Sequence, residues 1–375
     1  MIRSLSVSVL TLVMVAPAAQ AQVTATLEGG YDSNPFRLSD VFDQRAGGFL
    51  DTELRFEHSF ENGFGLDARL GHLASQSENG DRTQYALTSG YEREADVFGK
   101  PAELEFHVRG SGLDRTFVSR STGEVGEFGG SDIANRFDQD SLELRARADI
   151  SLSQAWTLRL QGDARTRSYE DYTGLGLSNL DYDQVFAHAR LRYWPDRITD
   201  AQLGVSLGHR VFDDRRGRAL DTGFLAGTDL EFTYFNIDAS WKYVFRPDHD
   251  IRFAYSYDGR EDNVTGYYDT GLHRTRIRYR YMPEWGRRLS AEIEYRDFDF
   301  DNIPAALIVN DEENVAPNDG VRFTLSYDRR LVRSDEREVW LDLSLTYDDF
   351  SSPNEAYNYD RVVARVGFVF EFGGG

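Results

Sequence analysis

The sequence predicts an all-β protein, a transmembrane antiparallel up-and-down barrel of about sixteen strands, with fourteen to eighteen as the range. Three observations lead to this fold class. Apolar and polar residues alternate with a period of two, short connections alternate with long ones, and the apolar sets end in aromatic residues. The chain holds 20 Tyr, 25 Phe and 5 Trp, which is many for a mean hydropathy of -0.53. A barrel in lipid explains both the many aromatic residues and the low mean hydropathy, because half of each strand faces lipid and half faces water.

The alternation is clear in residues 142–150, where Leu142, Leu144 and Ala146 alternate with Glu143 and Arg145. Charges at every second position cannot face lipid, and a helix would spread them around its circumference. The pattern therefore predicts strands with one apolar and one wet face. A soluble sandwich would also use such strands. Aromatic residues at the ends of the apolar sets favour the barrel instead, since they fit girdles at the two membrane interfaces.

The connections set the strand count and the orientation. Short turns such as 61–63 and 153–155 alternate with a longer class. The longer connections are about 32–47, 75–82, 110–138, 167–182, 211–228, 258–270, 297–319 and 348–360. Short periplasmic turns and long extracellular loops are typical of outer-membrane barrels. Seven short and eight long connections predict sixteen strands with both termini in the periplasm.

The N-terminus predicts the compartment. Arg3, the apolar run 5–15 and Ala19-Gln20-Ala21 form the pattern of a cleaved secretory signal peptide over residues 1–21. A short buried helix is the alternative for this segment. Residues 22–375 then form one barrel domain, and the expected location is the outer membrane of a Gram-negative bacterium. Lipid, lipopolysaccharide and the barrel-assembly machinery are the expected partners.

Composition excludes several classes of function. The chain has no cysteine and therefore no thiolate for metal binding or catalysis. After residue 21 no apolar run is long enough for a membrane-spanning helix. A net charge of -21 argues against a nucleic-acid partner. We expect no cofactor.

The last strand carries a candidate assembly signal. Phe368, Phe370 and Phe372 alternate with Val369 and Glu371. The segment resembles the C-terminal strand by which the barrel-assembly machinery recognises its clients, which usually ends on an aromatic residue. Here three glycines, 373–375, follow the last phenylalanine.

The wet face carries the candidate functional residues. Arginines recur at every second position of 274–280, and without partners they would repel one another. The predicted basic ladder of the lumen comprises Arg274, Arg276, Arg278, Arg280, Arg145, Arg147, Arg190 and Arg192, and its predicted acidic partners are Glu292, Glu294 and Glu143. Rings of arginine in a pore favour anions. The alternative is that these arginines only pair with neighbouring carboxylates and support the wall.

The sequence also contains acidic residues and histidines that bear on metal binding and catalysis. Asp297, Asp299 and Asp301 offer hard oxygen ligands, which makes them a weak calcium candidate, although the spacing excludes an EF-hand. A solvated acidic loop is the alternative. No serine-centred nucleophile motif accompanies the 7 histidines, so we expect no enzyme and name no catalytic residue.

One motif goes beyond barrel physics. Tyr31, Asp32, Ser33, Asn34, Pro35 and Phe36 stand at the outer end of the first strand. The motif resembles the opening of the β-barrel porin 2 family of proteobacteria, which includes outer-membrane barrels associated with exopolysaccharide export. It is also similar to the opening of the barrel in surface lipoprotein assembly modifiers, but those usually carry a tetratricopeptide domain first. Physically, Asp, Asn and Pro are turn residues that end strand pairing.

The sequence thus predicts a porin-like passive channel for small solutes, with an anion or an acidic saccharide as the expected solute. The alternative from another class is a non-conducting surface protein whose loops bind a partner. An outer-membrane hydrolase is the third hypothesis.

Overall fold

Alternating strands close into a single barrel in a computed structural model that describes residues 21–39, 42–119, 123–219, 225–299, 319–334, 337–352 and 355–373. The barrel strands are β1 (Ala21–Asp32), β2 (Gly47–Ser59), β3 (Phe64–Ser75), β4 (Arg82–Val97), β5 (Lys100–Arg115), β8 (Gln139–Ser151), β9 (Trp156–Tyr169), β10 (Tyr182–Tyr193), β11 (Thr199–Arg218), β12 (Leu225–Arg246), β13 (His249–Asp262), β14 (Thr270–Tyr281), β15 (Arg287–Asp299), β16 (Asp319–Arg333), β17 (Arg337–Ser351) and β18 (Tyr359–Phe372). Two short strands, β6 (Glu127–Phe128) and β7 (Ser131–Asp132), pair with each other in the connection between β5 and β8. Two 3-10 turns, Thr173–Leu175 and Glu355–Tyr357, lie in other connections. The predicted signal peptide lies outside the described residues, apart from its last residue, Ala21.

Each barrel strand pairs antiparallel with its neighbour in the chain, and β1 pairs with β18 to close the sheet. Closure removes the free edges that an open sheet would expose. The predicted fold class, an antiparallel barrel of sixteen strands, is confirmed.

The two faces of the sheet differ in chemistry. Leu203, Leu207 and Val185 are 55%, 60% and 55% exposed, and they belong to the apolar alternate set. In a closed barrel the convex outer face is the exposed one, so the apolar set points outward. The other set carries the charged side chains and faces the lumen. An apolar outside and a polar inside are the arrangement of a barrel that sits in lipid.

Seven short turns lie at one end of the barrel, as predicted, and the longer connections lie at the other. The expected loop 211–228 was wrong in its extent, because β11 continues to Arg218 and β12 begins at Leu225. Strands of 20 and 22 residues are about twice the length needed to cross a bilayer. Backbone pairing therefore extends this hairpin beyond the membrane, with irregularities after Val211. No helix in the described ranges has the length and apolar character required to cross a membrane.

An aromatic cluster lies at the loop end of the barrel. Its buried side chains are Tyr169, Leu180, Tyr182, Phe212, Leu230, Phe232, Tyr267 and Tyr268. The guanidinium of Arg210 lies 4.1 Å from the ring centre of Tyr182 and 5.2 Å from that of Tyr234. Arg260 lies 4.7 Å from the ring of Phe232. The cluster joins the inner wall of β9–β12 to the connection 263–269, and so it fixes one side of the mouth.

Candidate functional site in the barrel lumen

The predicted arginine ladder lies on the inner face of β14. Ile277 between its members points the other way, towards Phe253 of β13 and Ile293 of β15, both exposed on the outer face. The sequence reasoning therefore placed the ladder correctly with respect to its strand. The ion-pair partners of each arginine determine whether it supports the wall or acts in the pore.

Two members of the ladder hold buried carboxylates. Arg276 donates to Glu294 at 2.6 and 3.0 Å and lies 3.4 Å from Glu292. Arg280 donates to Asp250 at 2.6 and 2.8 Å. Glu294 and Asp250 are only 3% and 2% exposed. A buried carboxylate without its cation is costly, so these two arginines support the wall. Arg276 thus pairs with Glu294, one of the acidic residues named from the sequence, and the partner of Arg280 lies on the opposite neighbouring strand.

Arg278 stands apart from its neighbours. On β13 it faces Arg252, which in turn faces Lys242 on β12. The outer register partners of this group are carboxylates, Glu292 opposite Arg278 and Asp200 opposite Lys242, but they pair with Arg276 and Arg192 instead. Within the described ranges, no carboxylate comes within 4.0 Å of the cationic groups of Lys242, Arg252 or Arg278. The Nε atoms of Arg252 and Arg278 are buried and lack a hydrogen-bond partner there. We call Lys242, Arg252 and Arg278 the cation row.

The other predicted arginines of the lumen are paired. Arg145 lies 2.7 Å from both Glu143 and Asp163, and Glu143 also binds Arg165. The remaining pairs are Arg147 with Glu105 and Asp149, Arg190 with Asp238 at 3.1 Å, Arg192 with Asp200 at 3.0 Å, and the looser Arg274 with Asp258 at 3.6 Å. These residues therefore fit the alternative in which the arginines pair with neighbouring carboxylates and support the wall. The cation row is the exception.

Carboxylates collect on the opposite wall. Glu92 and Glu94 lie on the inner face of β4 and Glu103 lies on that of β5. The strand order places β4 eight strands from β14, halfway around the barrel. In the described part of the chain no basic side chain forms an ion pair with these three carboxylates. The cation row and these carboxylates both lie towards the short-turn end of the barrel. The lumen there therefore carries an electric field directed across the pore.

The family-like motif lies at the seam where the barrel closes. Asp32 accepts from Nε of Arg361 at 2.9 Å and from a second guanidinium nitrogen. The backbone N–H of Ser33 donates to the carbonyl of Val362 at 2.9 Å, and the N–H of Val362 donates to Oγ of Ser33 at 2.7 Å. Asn34, fully buried, donates to the carbonyls of Leu38 and Asp360 and accepts from the N–H of Leu38. The motif therefore joins the first strand to the last.

The candidate assembly strand completes the same seam. Phe372 is the register partner of Val23 on β1 and of Arg337 on β17. Phe368 and Phe372 are exposed on the outer face, and Phe370 shares that face. The predicted strand is confirmed, and its recognition by the assembly machinery stays a prediction.

The calcium candidate and the histidines are the weaker candidates of the sequence. Asp297 and Asp299 end β15, and Asp301 lies outside the described residues. Among the residues that the structure describes, no group of three His, Cys, Asp or Glu side chains could hold a metal ion. His188 lies 2.9 Å from Asp163 and is the register partner of Ser206, but no hydrogen bond joins His188 to Ser206 in the described part.

Sequence reasoning missed Lys242 and Arg252. A signal was present, since Lys242 stands between Trp241 and Tyr243, and Arg252 between Ile251 and Phe253, which places both cations on the wet face. Their pairing did not follow from the turn, because the bulge between Val244 and Arg246 shifts the register by one residue and so places Lys242 across from Arg252. Only the pairing of β13 with β14 then adds Arg278.

The comparisons with known proteins bear on the fold. No protein-family model matches the chain, so the resemblance to the β-barrel porin 2 family stays a prediction, and no curated protein matches either. CdiB from Acinetobacter baumannii is similar in structure with a TM-score of 0.52 at 9% identity, over 93% of this chain and 60% of that one. A bacterial polysaccharide outer membrane secretin matches at 0.44 and 11% identity, over 96% and 100% of the two chains. Pseudomonas aeruginosa OpdQ matches at 0.45 and 9%, over 95% and 99%. The likeness to CdiB supports the barrel fold.

Proposed function

We propose that the protein is a passive channel of the outer membrane that conducts small solutes and prefers anions. The observation that carries the proposal is the cation row, three adjacent lumen cations without ion-pair partners in the described ranges. Sixteen strands enclose a lumen that side chains alone do not fill, as in porins. The apolar outer face suits lipid, lipopolysaccharide and insertion by the assembly machinery.

The mechanism follows from the charges. Arginines that hold Glu294 or Asp250 are neutralised locally and contribute little to the field in the pore. Lys242, Arg252 and Arg278 have no carboxylate within ion-pair distance in the described ranges, so their charge is less compensated. A row of such cations raises the local concentration of anions and lowers the barrier to their passage. The facing carboxylates on β4 and β5 orient a solute that has both a positive and a negative end.

The test is single-channel conductance of the refolded protein in a planar bilayer, with the reversal potential measured under a salt gradient. We expect steady openings and an anion-selective reversal potential. Replacing Lys242, Arg252 and Arg278 together by Gln should move the reversal potential towards cation selectivity, because the carboxylates of the opposite wall then dominate the field.

Charge-conserving variants supply the control. Arg278→Lys and Arg252→Lys keep the row positive and should keep the selectivity. Arg190→Gln removes one positive charge at a paired position and should shift the reversal potential less than the single variant Arg278→Gln, which removes one charge from the row. If the triple variant keeps the original reversal potential, the row does not set selectivity. If the well-folded protein never opens, the channel itself is refuted.

A second candidate, a surface protein acting through its loops, is favoured by contacts across the mouth. Arg45 in the connection after β1 donates to the carbonyl of Gly123 in the connection after β5. Arg136 of that connection donates to the carbonyl of Ser178 at 3.3 Å. Three loops are therefore tied together over one side of the barrel, which is a surface that a partner can bind. Silence in the bilayer would favour this candidate.

A further inference from the structure

A cavity lies under the family-like motif, apart from the cation row. Its volume is about 440 Å³, and it opens on the inner wall at the loop end of the barrel. Pro35 and Phe36 of the motif form one side together with Arg37, which follows the motif, and Thr116 to Val118 form another. The remaining wall comes from the loop ends of β1–β5 and β18. The volume lies within the range of small-molecule sites.

Among the charged side chains that line the cavity, arginines outnumber carboxylates. They are Arg37, Arg82, Arg115, Arg361 and Arg365 against Asp32 and Asp81. Asp32 is engaged by Arg361, and Asp81 accepts from the N–H of Ser75 at 2.7 Å. Two carboxylates beside the cavity also contact this group, Asp51 at 3.7 Å from Arg82 and Glu28 at 3.2 Å from Arg365. Guanidinium groups converging on one space favour a planar oxyanion, which each can bind with two hydrogen bonds.

Arg37 shows that its surroundings are unfavourable to another positive charge. Burial is the main cause that lowers the pKa of Arg37, and the positive charges of Arg361 and Arg322 lower it further, whereas Tyr359 and Asp348 act in the opposite direction. Its backbone has a φ of 55°, in the left-handed region that a residue with a side chain seldom adopts. An anion in the cavity would offset the repulsion at this position.

The rest of the lining shows what the anion is attached to. Phe36, Phe49 and Phe117 present rings to the cavity. The ring of Phe49 reaches this place because residue 30 is glycine, whose added Cβ would lie 2.5 Å from that ring. Asn79 also lines the cavity and carries an amide group. Apolar rings next to hydrogen-bonding groups suit the face and the hydroxyls of a sugar ring.

We propose that this cavity binds a sugar acid, with its carboxylate between Arg82, Arg115 and Arg37 and its ring against the phenylalanines. The sugar acid is either a free monosaccharide or the end of an acidic oligosaccharide, since the cavity opens towards the loop end of the barrel. The site is independent of the cation row, which lies near the other end of the lumen.

The test is calorimetric titration of the refolded, detergent-solubilised protein with glucuronate, and separately with an oligogalacturonate. We expect saturable binding of glucuronate, and none of glucose at the same concentrations. Arg82→Gln and Arg115→Gln should each weaken binding about tenfold, because each removes a charge-assisted contact. Galacturonate is titrated as the monomer of the oligomer: tighter binding of the oligogalacturonate than of galacturonate would identify a chain end as the ligand, and equal binding would identify the monosaccharide.

Arg109→Gln is the matched control, because Arg109 lies on the inner face of β5 with Arg115 but outside the cavity. Heat-modifiable gel mobility checks the folding of every variant. Binding that is absent in the native protein, or unchanged in both cavity variants, overturns the proposal. Benzoate that binds as tightly as glucuronate would overturn the proposal that the ligand contains a sugar ring. Conductance is recorded on the same preparations, so a silent protein that binds glucuronate would refute the channel but not this site.

Discussion

Asp32 and Arg361 are 329 positions apart in the chain, and they form a bidentate ion pair across the seam where β1 meets β18. The pair is largely buried, with side-chain exposures of 10% and 15%. Arg361 also lies 3.9 Å from Asp348, which is fully buried. A cation at this position therefore satisfies two carboxylates where the two ends of the sheet meet.

Breaking this pair should weaken closure of the barrel. Arg361→Gln leaves Asp32 and Asp348 with less compensation, and removal of one partner from a buried pair costs about 3–5 kcal/mol. We expect the variant to lose its compact gel mobility at a lower temperature than the native protein. Arg365→Gln, on the same strand and face but more exposed, is the control. Equal melting of the Arg361 variant and the native protein would contradict a role for the pair.

Substitutions should distinguish the arginines of the ladder that stabilise the wall from those that face the pore without an ion pair. Arg276→Gln weakens the compensation of buried Glu294, so we expect a loss of about 1–2 kcal/mol in the free energy of unfolding. Arg278→Gln removes no ion pair within the described residues and relieves repulsion with Arg252, so its stability should be unchanged or higher. Urea unfolding of the two variants compares them directly. The same loss in both would show that Arg278 has a structural partner.

Gly30 should not tolerate a side chain. An added Cβ would lie 2.4 Å from the carbonyl oxygen of Ala364 and 2.5 Å from the ring of Phe49. Since the carbonyl belongs to the seam, Gly30→Ala must either move β18 or displace the ring, and we expect a loss of about 1–3 kcal/mol in the free energy of unfolding. Gly110→Ala is the matched control, because nothing lies within 4 Å of its added Cβ. A Gly30 variant as stable as the Gly110 variant would show that the seam adapts.

Asp138, in the connection before β8, should make stability depend on pH. Burial raises the pKa of Asp138 from 3.8 to about 6, and the neighbouring Asp114 adds to the effect although the N–H of Arg115 donates to the carboxylate. The folded state therefore favours the neutral acid. This contribution to stability is present below the ordinary pKa and is lost as the pH rises through about 6.

Asp138→Asn mimics the neutral acid and can still accept from Arg115. We expect it to be more stable than the native protein at about pH 8 and equal to it at about pH 4. Asp171→Asn is the comparison, because hydrogen bonds from Thr173 lower the pKa of Asp171 and its variant should not gain stability at high pH. Urea unfolding at the two pH values measures both. An Asp138 variant destabilised at high pH would show that its charge is favourable.

The sequence by itself determined the barrel. A period of two over 142–150 and 274–280 specifies strands with one wet face, because a shift by one residue would place arginines in lipid. The alternation of short and long connections specified sixteen strands and the end at which the loops lie. The arginines of β14 could thus be placed in the lumen without coordinates.

Only the tertiary structure decided which arginines are free to act. Arg276 and Arg278 are equivalent in sequence, and each faces a glutamate of β15. On β13, however, Arg276 faces Ala254 whereas Arg278 faces Arg252, and of these two arginines only Arg276 forms ion pairs in the described ranges. This difference arises from the register of β13 against β14 and from the directions of the side chains. The cavity under the motif depends on contacts between residues more than 300 positions apart. No local pattern encodes such contacts, because closure of the sheet is what brings the two ends of the chain together.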